Sequence, residues 1–342
     1  MPTIIPATVL GNDGNVAPSN RIVMGGIGLG PRGRKVLDGF FKNKDNQFVA
    51  IADPQKERRE VIKRLTDRKY GNSDCVTYDD MSYILERDDI DAVIIATGDR
   101  WHTTASIMAA RAGKDIYCEK PCAMNIQECQ ELDDNIKKHK RIFQAGTQRR
   151  SVPNFKAAVN MARTGKLGQL TEVHAGILEL RNYYEPLPEQ PLPDPDIINW
   201  DKWVGPAPMK PYNKRYCDGR WRDHAGFYAA WRLPEWGSHT IDVCQWAADA
   251  DGTTPIDFEV QSDTEIHAKY ANGVKLNMRL SSFDDAGNWT KGLGTCPVRF
   301  DGDEGWVEAG DYNTLVTSDP KIAPSEKWEE IFGTDPVYHV RN

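Results

Sequence analysis

A glycine-rich turn directly after an apolar segment constrains the fold of this chain more than any other feature. Residues 21–27 read Arg-Ile-Val-Met-Gly-Gly-Ile, and further glycines stand at positions 28, 30 and 33. Gly28 permits a tight strand-to-helix turn, Gly30 lets the backbone approach a pyrophosphate, and Gly33 lets the helix pack against the strand. Asp53 closes a second apolar segment 20 residues later. This pattern predicts a βαβ unit that holds a dinucleotide at a helix N-terminus.

The acidic residue indicates which dinucleotide is expected. A carboxylate at Asp53 accepts hydrogen bonds from ribose hydroxyls and repels a 2′-phosphate, so NAD is predicted over NADP. Within the turn itself, Leu29 and Arg32 accompany the three glycines as expected cofactor contacts.

Length and composition narrow the class of protein. At 342 residues the chain is too long for one core and predicts two domains. Charged residues make up 27% and the net charge is −7, so neither nucleic acid nor an anionic membrane is expected as a partner. No apolar segment approaches the ~18 residues of a membrane helix. The seven cysteines lack metal-site spacing, so no metal is predicted and most are interpreted as buried thiols.

Residues 1–20 differ in composition from the rest and form a predicted N-terminal arm. They are rich in Pro, Gly and Asn, show no periodicity and carry few charges. One interpretation is a disordered tail. The other is the mature start of a protein exported with a twin-arginine signal, which favours a periplasmic location over the cytoplasmic alternative.

The remaining chain divides into two kinds of pattern. Residues 21–146 alternate predicted strands and helices, which is typical of a doubly wound parallel sheet, a Rossmann domain. Residues 147–342 show helices followed by strands, including one predicted strand over Glu259–Ala268. This predicts an α+β substrate domain with a large, mostly antiparallel sheet, one face of which is expected to cover a subunit partner. The overall fold class is α/β.

Polar clusters follow three predicted strands of the first domain. Since ligands bind beyond the carboxyl ends of parallel strands, these clusters are expected to converge on the cofactor. The expected cofactor contacts in them are Thr97, Asp99, His102, Glu119, Lys120 and Gln148.

Lys120, between Glu119 and Pro121, is the strongest candidate for catalysis. An isolated lysine at a strand end is usually a solvated charge. In a chain that binds NAD, this lysine can hydrogen-bond a substrate hydroxyl and stabilise the alkoxide that develops as hydride leaves.

The glycine turn, Asp53, Glu119-Lys120-Pro121 and Gly146-Thr147-Gln148 together resemble the Gfo/Idh/MocA family of sugar and inositol oxidoreductases. The loop over residues 199–208 is similar to a branch rich in exported bacterial members that act on sugars or glycosides. The resemblance implies a Rossmann domain, a C-terminal domain with a large open sheet, and a substrate cleft. It also implies that Trp203, within that loop, contacts the cofactor.

The second catalytic segment departs from the family pattern. The family usually has Asp followed by His four residues later, whereas here Asp242 is followed by Trp246 and the histidine, His239, precedes it. His239 and Asp242 still share a helical face. His239 is predicted to be the general base, with Asp242 orienting it or taking its place; a helix N-cap histidine is the alternative.

Aromatic and cationic side chains are dense around this segment and suit a carbohydrate site, because flat rings stack on sugars while charged groups bind hydroxyls. The same residues would equally suit a domain core or a subunit contact. The predicted substrate contacts are Arg149, Tyr184, Arg222, Tyr228 and Arg232.

Three functions follow from these patterns. The first is NAD-dependent oxidation of a secondary hydroxyl of a sugar, glycoside or cyclitol. The second is a glycosidase-like enzyme that keeps its NAD and works by oxidation, elimination and re-reduction. The third is a nucleotide-binding sensor without chemistry. A homodimer or homotetramer, formed through the C-terminal sheet, is expected in each case.

Overall fold

The computed structural model describes residues 16–178, 186–224, 226–227, 233–281, 290 and 292–323. They belong to two compact units, each taken by itself below. The first comprises residues 1–146 and 182–229, and the second comprises residues 147–181 and 230–342.

The first unit contains a six-stranded sheet whose neighbouring strands are all parallel. Its spatial order is β3-β2-β1-β4-β5-β6, the doubly wound order of dinucleotide-binding folds. The strands are β1 (Ile22–Ile27), β2 (Asn46–Ala52), β3 (Val76–Tyr78), β4 (Ala92–Ile95), β5 (Asp115–Cys118) and β6 (Phe143–Ala145). The predicted Rossmann fold is therefore confirmed.

Helices cover this sheet on both faces, and two apolar clusters form its core. Gly71 ends the second helix in the left-handed conformation, and Asn125 caps the fifth by accepting a hydrogen bond from the Glu128 backbone. The helices are α1 (Pro31–Phe40), α2 (Lys56–Tyr70), α3 (Ser82–Leu85), α4 (Asp99–Arg111) and α5 (Ile126–His139).

The domain boundary predicted at residue 146 does not account for one later segment. Residues 182–229 group with the first unit, although they follow residue 146 in the chain. Their described part includes the short helices α7 (Trp200–Val204) and α8 (Lys214–Cys217). Two interactions explain this grouping. Trp200 and Tyr216 are buried in an aromatic cluster within the segment. The backbone of the segment also pairs with residues 54–56 of the first unit.

The second unit contains a seven-stranded sheet in the order β13-β12-β11-β7-β10-β9-β8. Only the β7–β10 pair is parallel, and the other described pairs are antiparallel. The strands are β7 (Leu170–Leu178), β8 (Asp257–Ser262), β9 (Glu265–Lys269), β10 (Lys275–Ser281), β11 (Val298–Gly302), β12 (Trp306–Ala309) and β13 (Leu315–Thr317). The predicted α+β domain with a mostly antiparallel sheet is confirmed.

Two helices, α6 (Pro153–Arg163) and α9 (Ser238–Ala247), pack on one face of this sheet and share its apolar core. The single strand predicted over Glu259–Ala268 is wrong. The chain turns at residues 263–264, so β8 and β9 form a hairpin in which Val260 lies opposite Ile266. The turn residues include no glycine or proline, which is why the pattern suggested one strand.

Among the helices in the described ranges, none is both long and apolar enough to cross a membrane.

Candidate active site

The glycine turn between β1 and α1 forms the predicted cradle. Gly28 has φ +67°, and a Cβ there would lie 2.4 Å from Cγ2 of Thr97. A Cβ on Gly33 would lie 2.9 Å from Cβ of Ala96. Each glycine is thus required by close packing between the turn and the end of β4. The turn leads directly into the N-terminus of α1, where a phosphate group can bind.

Asp53 follows β2 at the position expected for the ribose-binding carboxylate. Its side chain is buried, and Oδ1 accepts a hydrogen bond of 2.8 Å from the Gln55 backbone. Burial raises its pKa to about 6, although the Gln55 bond and the charges of Arg58 and Arg59 oppose the rise. The glycine cradle and this carboxylate fit NAD.

Arg58, on α2, reaches the same cradle and was not predicted from the sequence. A Cβ on Gly30 would lie 2.3 Å from its Nη1, so the guanidinium rests on the glycine turn. Nη2 donates to the Cys217 carbonyl, and Nε donates at 3.0 Å to the Gln55 amide oxygen once that amide is oriented to satisfy both neighbours. Arg58 therefore brings a positive charge to the phosphate-binding turn.

Residues 194–217, here named the covering segment, cross the carboxyl ends of three strands of the first unit. Beyond β2, Ile198 forms an antiparallel bridge with Gln55. Beyond β3, Lys202 makes ion pairs with Asp79 at 2.9 Å and Asp80 at 3.1 Å. The segment thus lies over the edge of the sheet at which Asp53 stands.

Beyond β4, Arg100 fastens the covering segment. Its Nη2 donates to the Trp203 carbonyl at 2.6 Å and its Nε to the Val204 carbonyl at 3.0 Å. Its guanidinium also lies 4.0 Å from the centre of the Trp203 ring. Trp203 Nε1 in turn donates at 3.2 Å to the reoriented amide of Gln55. Trp203 was predicted from the sequence as a cofactor contact and Arg100 was not, because only the fold brings residues 100 and 203 together.

The loop after β5 holds Glu119 and Lys120 beside the glycine turn. Glu119 is buried, and its Oε1 pairs at 2.9 Å with Nε of Arg32, which lies on α1. Lys120 is partly exposed, and the peptide bond from Lys120 to Pro121 is cis. Two predicted cofactor contacts, Arg32 and Glu119, are therefore joined directly, and they link the turn to Lys120.

His102 fixes this loop from α4. Its buried ring places Nδ1 2.7 Å from the Pro121 carbonyl oxygen, which can only accept, so Nδ1 carries the proton. Burial lowers the pKa of His102, which keeps the ring neutral. Thr97 and Asp99 flank the start of the same helix, and Asp99 is buried in its first turn.

In the second unit, α9 carries both predicted members of the acid–base pair. His239 is buried near the helix start, after a π-helical turn over Leu233–Gly237, and its ring centroid lies 6.3 Å from that of Trp236. Asp242 follows one turn later, so the predicted shared face is present.

Arg150 holds Asp242 and was not predicted. Its Nε and Nη2 each lie 2.8 Å from one oxygen of Asp242, a bidentate pair, and Nη2 also bonds Asp251 at 2.7 Å. The guanidinium lies 5.4 Å from the ring of Trp246, the residue at the family's usual histidine position. Burial raises the pKa of Asp242, and the Arg150 pair opposes the rise.

The other predicted contacts have varied environments. Gln148 is buried in a short 3-10 helix of the second unit, and Arg149 pairs at 2.6 Å with Asp311. Arg222 is exposed and lies 4.2 Å from the centre of the Trp221 ring. Tyr184, Tyr228 and Arg232 lie outside the described residues. Across the described ranges, no group of three or more His, Cys, Asp or Glu residues could hold a metal.

Comparisons with known proteins agree with this architecture. The family described as "Oxidoreductase family, NAD-binding Rossmann fold" matches residues 21–147. Its companion, "Oxidoreductase family, C-terminal alpha/beta domain", matches residues 182–287, so the two matches together span most of the chain. The chain belongs to the Gfo/Idh/MocA oxidoreductase family. The resemblance inferred from the sequence is confirmed, and residues 21–147 are the family's NAD-binding domain.

Relatives that are similar in sequence have names that describe enzymes acting on carbohydrates. An alpha-N-acetylgalactosaminidase of Shewanella oneidensis is 30% identical over 173 residues, which are 49% of this chain and 38% of that protein. A 2,7-anhydro-N-acetylneuraminate hydratase of Mediterraneibacter gnavus is 27% identical over 176 residues, 52% of this chain and 42% of that protein. The matches thus span less than half the length of these relatives.

Solved structures share the fold at low identity. The WlbA dehydrogenase of Chromobacterium violaceum, solved with NADH and UDP-GlcNAcA, has a TM-score of 0.63 and 17% identity, covering 93% of this chain and 83% of that one. A levoglucosan dehydrogenase solved with NADH has a TM-score of 0.57 and 20% identity, covering 84% of this chain and 73% of that one.

Proposed function

We propose that this protein oxidises a secondary hydroxyl of a sugar, glycoside or cyclitol. NAD, when bound, would accept the hydride from the carbon that bears this hydroxyl. The observation that carries the proposal is the Arg32–Glu119 ion pair, which holds the loop of Lys120 against the phosphate-binding turn. A lysine held beside a nicotinamide cofactor site suits alcohol oxidation, because its ammonium group stabilises negative charge on the substrate oxygen.

His239 is assigned as the general base and Asp242 as a positioning residue. Both oxygens of Asp242 are engaged by Arg150, which makes this carboxylate a poor acceptor for a substrate proton. His239 lies one turn earlier on α9, and the imidazole of a histidine is suited to proton transfer near neutral pH. The geometry of Arg150 thus favours one of the two alternatives that the sequence left open.

The test combines a carbohydrate panel with two variants. NADH formation, followed at ~340 nm, identifies a substrate of the wild type. Lys120→Ala is expected to keep NADH affinity within threefold and to lower kcat by about 10²–10⁴-fold, the usual contribution of a positioned acid–base group. Lys137→Ala, on the exposed face of α5, is the matched control. Unchanged kcat in Lys120→Ala would remove Lys120 from the mechanism.

His239→Asn is expected to abolish the limb of the pH–rate profile that reports the base, while Asp242→Asn keeps that limb and lowers kcat. A profile that keeps its shape in His239→Asn would exclude His239 as the base.

A second candidate is redox-neutral cleavage of a glycoside with permanently retained NAD. There a sugar carbon is oxidised, a neighbouring C–O bond is eliminated, water adds across the double bond that forms, and the oxidised carbon is reduced again. Two observations favour it: the covering segment lies over the adenosine end of the cradle, and one curated relative is named a glycosidase. Turnover without added NAD, together with NAD that survives dialysis, would support it; strict dependence on added NAD⁺ would exclude it.

The exposed face of the C-terminal sheet is proposed to join subunits into a homodimer or homotetramer. This face, opposite α6 and α9, holds a groove of about 620 Å³. Its charges are paired, as in His174–Asp301 at 2.9 Å and Arg299–Glu308 at 2.8 Å, so it can meet a second copy without isolated charges. Sedimentation analysis of Arg279→Glu, which reverses one charge of the groove, is expected to show dissociation to monomers; an unchanged oligomer would refute this interface.

Export to the periplasm is proposed from the composition of the N-terminal arm alone. Fractionation of cells that express the natural gene tests it, and recovery of the protein only with cytoplasmic markers would refute it.

A further inference from the structure

Two cysteines bracket the catalytic tripeptide Glu119-Lys120-Pro121. Cys118 ends β5 and is fully buried, whereas Cys122 is partly exposed. Their thiols are neighbours, because both sulfurs lie against the carbonyl oxygen of Glu119. Two thiols that share one backbone acceptor can approach each other to form a disulfide.

Both thiols also contact one backbone oxygen of the tripeptide. The Glu119 carbonyl oxygen lies 3.4 Å from Sγ of Cys118 and 3.9 Å from Sγ of Cys122, and each S–H can donate to it. A disulfide carries no S–H. Oxidation of the pair would therefore remove both donors from the peptide that joins Glu119 to Lys120.

The chain around the pair is held tightly. His102 binds the Pro121 carbonyl at 2.7 Å, and Thr103 binds the Cys122 carbonyl at 3.0 Å. Glu128 accepts from the Met124 backbone at 2.9 Å. Because these bonds fix the loop on the side of α4 and α5, the strain of a new cross-link falls on Glu119 and Lys120.

The two sulfurs differ in their exposure to solvent. This difference indicates which of them reacts first with an oxidant. Cys118 is fully buried, so a dissolved oxidant does not reach its sulfur first. Cys122 reaches the surface and can attack the oxidant. Cys129, exposed on α5, is the competing partner.

We propose that Cys118 and Cys122 form a reversible disulfide, driven by a peroxide, that weakens cofactor binding by displacing Glu119. The Cys122 sulfur attacks the peroxide O–O bond, giving a sulfenic acid and releasing the other oxygen as water or an alcohol. The Cys118 sulfur then attacks the sulfenic sulfur, and the S–OH oxygen leaves as water with the thiol proton. Two thiols are oxidised and one peroxide is reduced. A dithiol reductant reverses the bond by exchange.

The test uses the full-length protein and NADH as the probe, so that it is independent of any carbohydrate substrate and of the proposed reaction. After treatment with hydrogen peroxide, the denatured protein is cleaved after glutamate. Cleavage after Glu119 separates Cys118 from Cys122, and cleavage after Glu128 separates Cys122 from Cys129. The peptides that remain joined therefore identify the bond. NADH affinity is measured by fluorescence before oxidation, after it, and after dithiothreitol.

The expected result is a Cys118–Cys122 bond with NADH affinity weakened about tenfold, as loss of one hydrogen bond to the cofactor would give, and restored by dithiothreitol. Cys122→Ser should keep its NADH affinity under peroxide, and Cys129→Ser should respond as the wild type does. Cys118→Ala provides a second variant that cannot close the bond. A Cys122–Cys129 bond would overturn the proposal, as would a Cys118–Cys122 bond that leaves NADH affinity unchanged.

Discussion

Asp53 gives the sharpest test of the nucleotide site, because its ionisation and NAD binding should be coupled. Its pKa is raised from 3.8 to about 6 by burial. At 1.36 kcal/mol per pKa unit, ionising this group in the folded apoprotein costs roughly 3 kcal/mol more than in the unfolded chain. Ribose hydroxyls donate to the ionised carboxylate, so binding should favour the ionised form.

The expected affinity for NAD therefore depends on pH in a defined direction. Below pH ~6 the apoprotein holds a proton on Asp53 that must leave on binding, so Kd should rise by up to about tenfold per pH unit between pH 6 and pH 5. Above pH ~7 the affinity should be flat. Fluorescence titration with NADH from pH 5 to pH 8 measures this, and Asp53→Asn should remove the dependence while weakening binding at pH 7 by about 10–100-fold, the value of a charged hydrogen bond.

The stability of the apoprotein should change in the opposite sense. A folded-state pKa above the unfolded value means that the stabilisation is complete below pH ~4 and is lost as the pH rises through ~6. Asp53→Asn should reduce that loss by up to ~3 kcal/mol. A wild-type NADH affinity that is the same at pH 5 and pH 7 would refute the assignment of Asp53 as a buried, ionising ligand of the ribose.

Three further substitutions test the architecture of the site. Gly28→Ala should abolish measurable NADH binding because the new Cβ would meet a threonine at 2.4 Å, whereas Gly71→Ala, with a similar φ of +68° but open space, should cost only about 1–2 kcal/mol of stability and leave NADH affinity intact. Arg100→Ala leaves two backbone carbonyls without their donor and should lower the thermal midpoint by roughly 5–10 °C and speed NAD loss on dialysis, whereas Arg87→Ala, in an exposed ion pair, should shift the midpoint by less than ~2 °C. Arg150→Ala removes a bidentate partner from a partly buried carboxylate and should cost about 1–2 kcal/mol, together with a fall in kcat measured on the substrate found with the panel.

The sequence-based predictions were accurate mainly where the interacting residues are close together in the chain. The cap of α5 can be read from the sequence because Asn125 and Glu128 are three residues apart, and the structure has the bond from the Glu128 backbone to Asn125 at 2.9 Å. The side chain of Glu128 binds the backbone of Met124, however, and not that of Asn125 as in a reciprocal capping box. The β8–β9 hairpin was missed because its two-residue turn at 263–264 lacks glycine and proline.

By itself the sequence determined the nucleotide fold, its cradle and the acidic residue, since these depend on neighbours within one βαβ unit. Only the tertiary structure decided the roles of Arg58, Arg100 and Arg150. Their partners lie 159, 103 and 92 residues away in the chain. A long, charged side chain has no periodic signature, and its partner is selected by which backbone or carboxylate the completed fold places within reach. The glycine turn can be recognised in the sequence. The positions of the arginines that contact it and the covering segment are set only by the folded structure.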